Sequence, residues 1–370
     1  MNNIWHKIKK PLIYGLTIFL IGGFGSLIVQ KYLAPYLSAK PLFRHIGFLR
    51  VDTPLVITKT EQVRVNEGVR LIDLVKQLTP KVVTIVAGRG EIGKNFTETG
   101  RGSGVIISAD GLVVSEANLF SDRKNKFFAV TSDSKVYPVT FLVGDPKGEL
   151  VIVKIEDGTL PVADFGVSYE LETAQQVVLL SGVEGSNLGA LKTAYVSLAP
   201  GSESINAINS SESYRAVYGL DTSPRPGEAI FNLRGQLVGL GLNAGQVAPV
   251  EAIRSALDSY LMNKRIVRPE LGINFSLINA AGSRLLGLPV EHGILLRSGG
   301  RGPAVWPGRP AALAGLQEGD IILKINEQEI NSRQGLDFFL SRAVPGDVWR
   351  LTILRKGVEK KLEVTLGKLE

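Results

Sequence analysis

The sequence predicts a mostly β protein set behind one membrane-spanning helix, and three observations carry that reading. From Val82 onward, short Val- and Ile-rich runs (VVTIVA, GVIIS, GLVVSE, FFAVTS, LVIVKIE, QQVVLLSG, GQLVGLGL) are broken by Gly, Asp and Asn at intervals of about ten residues. That is the pattern of antiparallel barrels or a sandwich. Residues 11–29 form an apolar run of 19 residues without a charge. At ~1.5 Å per residue such a run just spans a hydrocarbon core of ~30 Å. The composition is globular, 44% hydrophobic and 21% charged with 41 glycines, and 370 residues suffice for two or three domains.

The net charge of +7 belongs to the first 50 residues. These hold Lys7, Lys9, Lys10, Lys31, Lys40, Arg44 and Arg50 and no acidic residue, which leaves 35 basic against 35 acidic residues in the rest. The excess flanks the apolar run, so membrane topology accounts for it and nucleic acid is not a predicted partner. The basic cluster on the short tail predicts a single-pass cell-membrane anchor, with the N-terminus cytoplasmic and the C-terminal domains extracytoplasmic. The apolar run is longer than a secretory core, which favours a retained anchor over a cleaved peptide. Residues 1–30 are read as tail and anchor, and 31–65, with Pro35, Pro41 and Pro54, as a juxtamembrane linker. Val69, Leu71, Ile72, Leu74, Val75 and Leu78 then recur at helical spacing, with Asn66 and Glu67 at the start and Pro80 at the end.

There is no cysteine, which excludes disulfides, thiolate catalysis and zinc–thiolate sites. No His/Cys/Asp/Glu cluster has metal-ligand spacing, so no metal and no cofactor is predicted. The three histidines are His6, His45 and His292.

Over residues 66–262 the motifs resemble those of an HtrA/DegP-type serine protease. Residues 102–107 (GSGVII) and 109–114 (ADGLVV) are similar to that family's opening strands, which lead into the segment carrying the catalytic histidine. Here that segment is 115–120 (SEANLF), and the histidine position is Asn118. Residues 145–155 (DPKGELVIVKI) resemble the family's Asp-Pro-x-x-Asp-Leu run, and Glu149 stands where the second Asp orients the histidine. Pro226 and Gly227 run through Glu228 into Ala229, where the family has a longer loop with the nucleophilic serine. The resemblance implies a trypsin-like double β-barrel. The departures at Asn118, at Glu149 and in the loop Gly227, Glu228, Ala229 imply that no intact triad remains. An amide side chain is no base near neutral pH, and a missing serine leaves nothing to activate. The shortened loop should also lose its paired oxyanion donors. Ser210, Ser211, Ser213 and Ser223 lie just upstream as candidates for a relocated nucleophile, although runs such as 209–211 (NSS) ordinarily form loops.

Residues 266–370 resemble the PDZ domain, an α+β module, that follows HtrA-type protease domains. Residues 268–273 (RPELGI) match the carboxylate-binding loop and 310–326 (PAALAGLQEGDIILKIN) the central signature. The resemblance implies a peptide site. Leu271, Gly272 and Ile273 would offer amides to a terminal carboxylate, and the adjoining edge strand would accept an extended chain. Leu336, Phe339 and Leu340, one face of a helix, would form a pocket with Ile273 and Phe275. The long stretch 298–308 (SGGRGPAVWPG) carries Trp306, read either as a partner contact or as folded back on its domain, and His292 reads as solvated.

The reading is thus a membrane-anchored, catalytically inactive serine protease homologue. It binds protein C-termini, peptides or unfolded chains through its PDZ domain, in envelope protein quality control or as an adaptor, and forms a homo- or hetero-oligomer such as a trimer. Two alternatives stand beside it: an active endopeptidase with a non-standard site, and a purely structural envelope anchor.

Overall fold

The computed structural model describes residues 2–33, 67–147, 149–156, 159–182, 191–198, 207–213, 218–299, 302–331 and 334–369. Most of the predicted linker, 34–65, lies outside them, as does Asn66. The chain divides into two units, residues 1–64 and 65–370.

The first unit holds helix α1 (Asn2–Ile28), continued by a wider turn at Val29–Leu33. It is the one described helix long and apolar enough to cross a membrane, over Ile13–Leu33. The predicted apolar run 11–29 overlaps this span, and Pro11 lies inside the helix.

The second unit opens with α2 (Glu67–Leu78). Leu78 is buried, and Leu71, Leu74 and Val75 pack partly against the same core. Ile72 departs from the expected apolar face and is exposed, because it sits about 100° around the helix from Leu71. Six strands follow: β1 (Val82–Arg89), β2 (Thr97–Ile106), β3 (Leu112–Glu116), β4 (Lys126–Val130), β5 (Val136–Gly144) and β6 (Leu150–Ile155). They close into a barrel in the order β1-β2-β3-β6-β5-β4, all antiparallel. The near-continuous apolar runs of β3 and β6 are explained by two-sided burial. Val113, Val151 and Val153 face the barrel interior, and Val114, Leu150 and Ile152 face a second core shared with the next sheet.

That sheet is built from β7 (Asp164–Phe165), β8 (Gln176–Leu180), β9 (Leu191–Leu198), β11 (Gly219–Leu220), β12 (Ala229–Asn232), β13 (Gln236–Gly241) and β14 (Val247–Pro249), in the order β11-β9-β8-β12-β13-β14 with β7 beside β13. The strand between β9 and β11, β10 (Asn209–Ser210), belongs elsewhere. From β14 the chain enters α3 (Val250–Asn263), which buries Val250, Ile253 and Ala256 against the shared core and ends on Lys264 in the left-handed region.

The C-terminal part has β15 (Arg268–Glu270), β16 (Asn274–Ile278), α4 (Ala280–Leu286), β17 (Gly293–Leu296), α5 (Pro310–Leu313), β18 (Ile321–Ile325), β19 (Gln328–Glu329), α6 (Leu336–Leu340), β20 (Val348–Arg355), β21 (Val358–Thr365) and β22 (Gly367–Leu369). Its sheet runs β16-β17-β18-β20-β21, with β19 on β18 and a separate β15–β22 pair. Asp320, from the central signature, is a buried anchor. Its carboxylate accepts from Arg355 Nε and one terminal nitrogen at 2.7 and 2.6 Å and caps the Gln317 N–H at 2.9 Å. The edge of this sheet is not open, because β10 pairs antiparallel with β16.

Candidate functional site

The three predicted triad segments adjoin one another at the junction of the barrel and the second sheet. Glu116 pairs with Leu150 across β3 and β6, and the Ala117 N–H donates to the Glu149 carbonyl at 3.2 Å. On the third side Gly227 turns against β2. Its φ is +77°, and a Cβ there would lie 2.3 Å from the Ser103 carbonyl oxygen. That carbonyl accepts the Ser115 hydroxyl at 2.7 Å. Between these walls lies a cleft of about 350 Å³ lined by, among others, Ser103, Ser115, Glu116, Ser181, Arg225 and Asn243.

Asn118 is exposed in the short helical turn Ala117–Phe120 and does not line the cleft. Its N–H donates to Glu116 Oε1 at 3.0 Å, and Asn243 Nδ2 donates to the same oxygen at 3.1 Å. Glu116 is 4% exposed. Burial pushes its carboxyl above the ordinary glutamate range, partly offset by the N–H groups of Asn118 and Leu119. Glu149 faces Arg268, at 3.6 Å, and the same guanidinium lies 3.4 Å from the wholly buried side chain of Asp145. The position that would orient a histidine is therefore joined to the first strand of the C-terminal part.

The loop Gly227, Glu228, Ala229 is closed on itself. The Gly227 N–H donates to the Gly241 carbonyl at 2.8 Å, and the Glu228 N–H donates to the Arg225 carbonyl at 3.0 Å. Both amides are thus engaged with backbone carbonyls. Glu228 is fully buried; its Oε2 accepts the Arg225 N–H at 2.9 Å, and its Oε1 has no hydrogen-bond partner.

Ser210, Ser211 and Ser213 lie against the C-terminal sheet, with Ser211 Oγ 3.0 Å from the Ile273 amide, and Ser223 packs beside Gly245. None of the four lines the cleft. The hydroxyls that do, at Ser103, Ser115 and Ser181, were missed by sequence reasoning, although Ser115 and Glu116 stand in the quoted segment beside Asn118. Ser103 and Ser115 are tied to backbone, since Ser103 Oγ accepts the Gly182 N–H at 2.8 Å while Ser115 donates to the Ser103 carbonyl. Among the described residues no group of three His, Cys, Asp or Glu could hold a metal.

At the predicted peptide site, Leu271, Ile273, Phe275, Leu336, Phe339 and Leu340 are all buried in one core, and Gly272 has φ +82°. The Gly272 N–H donates at 2.8 Å to the side chain of Glu212, a residue that sequence reasoning passed over. Trp306 is 39% exposed, and its ring folds back over Gly302; His292 is exposed, as read. Gly300 and Arg301 of the same stretch lie outside the described residues.

Residues 102–240 match the family described as trypsin-like peptidase domain and residues 269–366 the PDZ domain. Among curated relatives, a "Probable periplasmic serine endoprotease DegP-like" of Ectopseudomonas mendocina is 27% identical over 281 residues, covering 72% of this chain and 56% of that protein. Proteins of the same description from Hahella chejuensis and Chlamydia trachomatis are 26% and 25% identical, covering 72% and 73% of this chain and 57% and 54% of theirs. The chain thus spans about half the length of these relatives. The fold is shared with solved structures of the HtrA-type protease AlgW with a decapeptide (TM-score 0.54, 21% identity, 80% of this chain and 98% of that one) and with a tripeptide (0.55, 20%, 80% and 96%). With both matches in order on one mostly β chain, the protein carries a trypsin-like peptidase domain followed by a PDZ domain and is similar to HtrA-type proteases.

Proposed function

We propose that this chain is a membrane-anchored HtrA-like protein that holds polypeptides without cutting them. The observation that carries the reading is the missing imidazole. Asn118 occupies the base position, and the one histidine beyond residue 45 is His292, exposed on the C-terminal domain. Without a base the serine mechanism loses its proton carrier. The committed amides of Gly227 and Glu228 support the same reading by leaving a developing oxyanion without them.

The holding function rests on the PDZ domain, with the amides of residues 271–273 receiving a carboxylate and Phe275, Leu336, Phe339 and Leu340 forming the pocket below. Residues 11–29 are the anchor, and the periplasmic description of the relatives supports an extracytoplasmic place for the two domains. Assembly as a homo- or hetero-oligomer belongs to the same reading and is measured by sedimentation of the detergent-solubilised chain.

The competing reading, an endopeptidase with a non-standard site, draws on the cleft hydroxyls beside Glu116. A fluorophosphonate probe on the full chain decides. No labelling is expected, and stoichiometric modification of Ser103, Ser115 or Ser181 would sink the inactive reading.

A further inference from the structure

The acceptor edge of a PDZ domain offers two things to a ligand, an unpaired strand ladder and loop amides aimed at a terminal carboxylate. Here both are engaged by residues 207–213 of the same chain. The Ser276 hydroxyl donates to the Ala207 carbonyl at 2.8 Å, and Asn209 and Ser210 lie opposite Phe275 and Asn274 in antiparallel register. The Ser211 N–H donates to the Ile273 carbonyl at 3.0 Å. Gly299, where a Cβ would fall 2.2 Å from Ile208 Cδ1, leaves room for that isoleucine.

An internal segment has no terminal carboxylate, and Glu212 supplies one from its side chain. Its Oε1 accepts the Gly272 N–H at 2.8 Å and the Ser211 hydroxyl at 2.6 Å, and its Oε2 accepts the Ser210 hydroxyl at 2.9 Å. Glu212 is 6% exposed. A carboxylate is taken out of water only where donors replace its hydration, and this one has donors on both oxygens. Mere loop packing does not require strand register, a carboxylate on the loop amide and a glycine making space, all in one seven-residue stretch.

We propose that residues 207–213 are a ligand in cis for the PDZ groove, with the Glu212 carboxylate in the place of a terminal carboxylate, so that a peptide binds only after this segment leaves. This rests on the reading of the groove as a peptide site. Occupancy in cis raises the apparent dissociation constant by the reciprocal of the open fraction, so a groove open about 1% of the time binds about 100-fold more weakly than its intrinsic affinity.

The test uses the full chain in detergent and fluorescein-labelled decapeptides that end in an apolar residue with a free carboxylate, read by anisotropy. Glu212→Ala is expected to bind at least about tenfold more tightly than the native chain, with Glu212→Gln, whose amide oxygen still accepts from Gly272, between them. A second variant keeps every loop residue but two. The Ser210→Cys/Asn274→Cys pair, in a chain with no other cysteine, is expected to oxidise to an intramolecular disulfide that abolishes binding until reductant restores it. Equal affinity of Glu212→Ala and the native chain would overturn the proposal and leave the peptide site standing. A cysteine pair that does not oxidise, or an oxidised chain that still binds, would also overturn it. Failure of every variant to bind any decapeptide would remove the peptide-holding reading itself, and the cis ligand with it.

Discussion

The loop beside the barrel cleft and the PDZ groove each carry a buried glutamate beside a glycine turn, and they differ in how the carboxylate is satisfied. Glu228 meets one N–H on one oxygen and nothing on the other. Glu212 has donors on both oxygens, and its neighbours are in strand register. The first carboxylate is held through one oxygen, the second through both. A buried carboxylate with donors on both oxygens fixes the chain that carries it more firmly than one satisfied on a single oxygen.

The largest expected effect comes from the wall of the cleft. Gly227→Ala meets both a left-handed backbone and the Ser103 carbonyl, so the turn must shift and Ser103 with it. A loss of about 3 kcal/mol in denaturant unfolding of the full chain is expected. A loss below about 1 kcal/mol would mean the two walls are not rigidly packed, and the contrast with the groove would fail on its stiffer side.

The second effect lies on the link between the two regions. Arg268→Ala removes the guanidinium from the buried Asp145 carboxylate and from Glu149. The contacts, at 3.4 and 3.6 Å, are long, so a cost of about 2 kcal/mol is expected, below the range for breaking a tight buried pair. Peptide binding should respond as well if the β15 end of the groove is held by this contact. An unchanged stability would show that the pair spans the domains without joining them.

The third sharpens the comparison directly. Glu228→Gln is isosteric and keeps an acceptor for the Arg225 N–H, so its stability should stay within about 1 kcal/mol of the native value. Glu228→Ala orphans that N–H and opens a hole, at a cost of about 2 kcal/mol. A large loss in the glutamine variant would mean that the loop depends on the carboxylate itself.

The fold was readable because its signals are local. Period-two and near-continuous apolar runs mark β3, β6 and β13, the run PAALAGLQEGD fixes the PDZ domain, and an uncharged 19-residue stretch marks α1. The interactions that decide the sites are long-range. In NSSES the sequence speaks only of a turn, and the strand partner of Ser210 is Asn274, in another domain. Glu149 was singled out by the family resemblance of its segment, yet its engagement with Arg268 follows from how the domains meet, which no local pattern encodes. Glu116 was legible in position but not in role, because its burial arises from Asn243 closing over it from the far sheet.

That burial gives the smallest and most specific prediction. The Glu116 carboxyl has its folded-state value raised, chiefly by desolvation, so the native state holds this proton more tightly than the unfolded chain does. The contribution is fully present below the unfolded value and is lost as pH rises through the folded one, the reverse of a salt-bridged acid. Glu116→Gln keeps an acceptor for the Asn118 N–H and cannot ionise. Across the range just above the ordinary glutamate value, stability should therefore fall with pH in the native chain more than in the variant, as followed by unfolding at fixed ionic strength. Parallel curves would mean that the cleft wets Glu116 enough to carry its charge. The barrel cleft would then resemble the groove in satisfying its carboxylate, and the two regions would differ only in who supplies the donors.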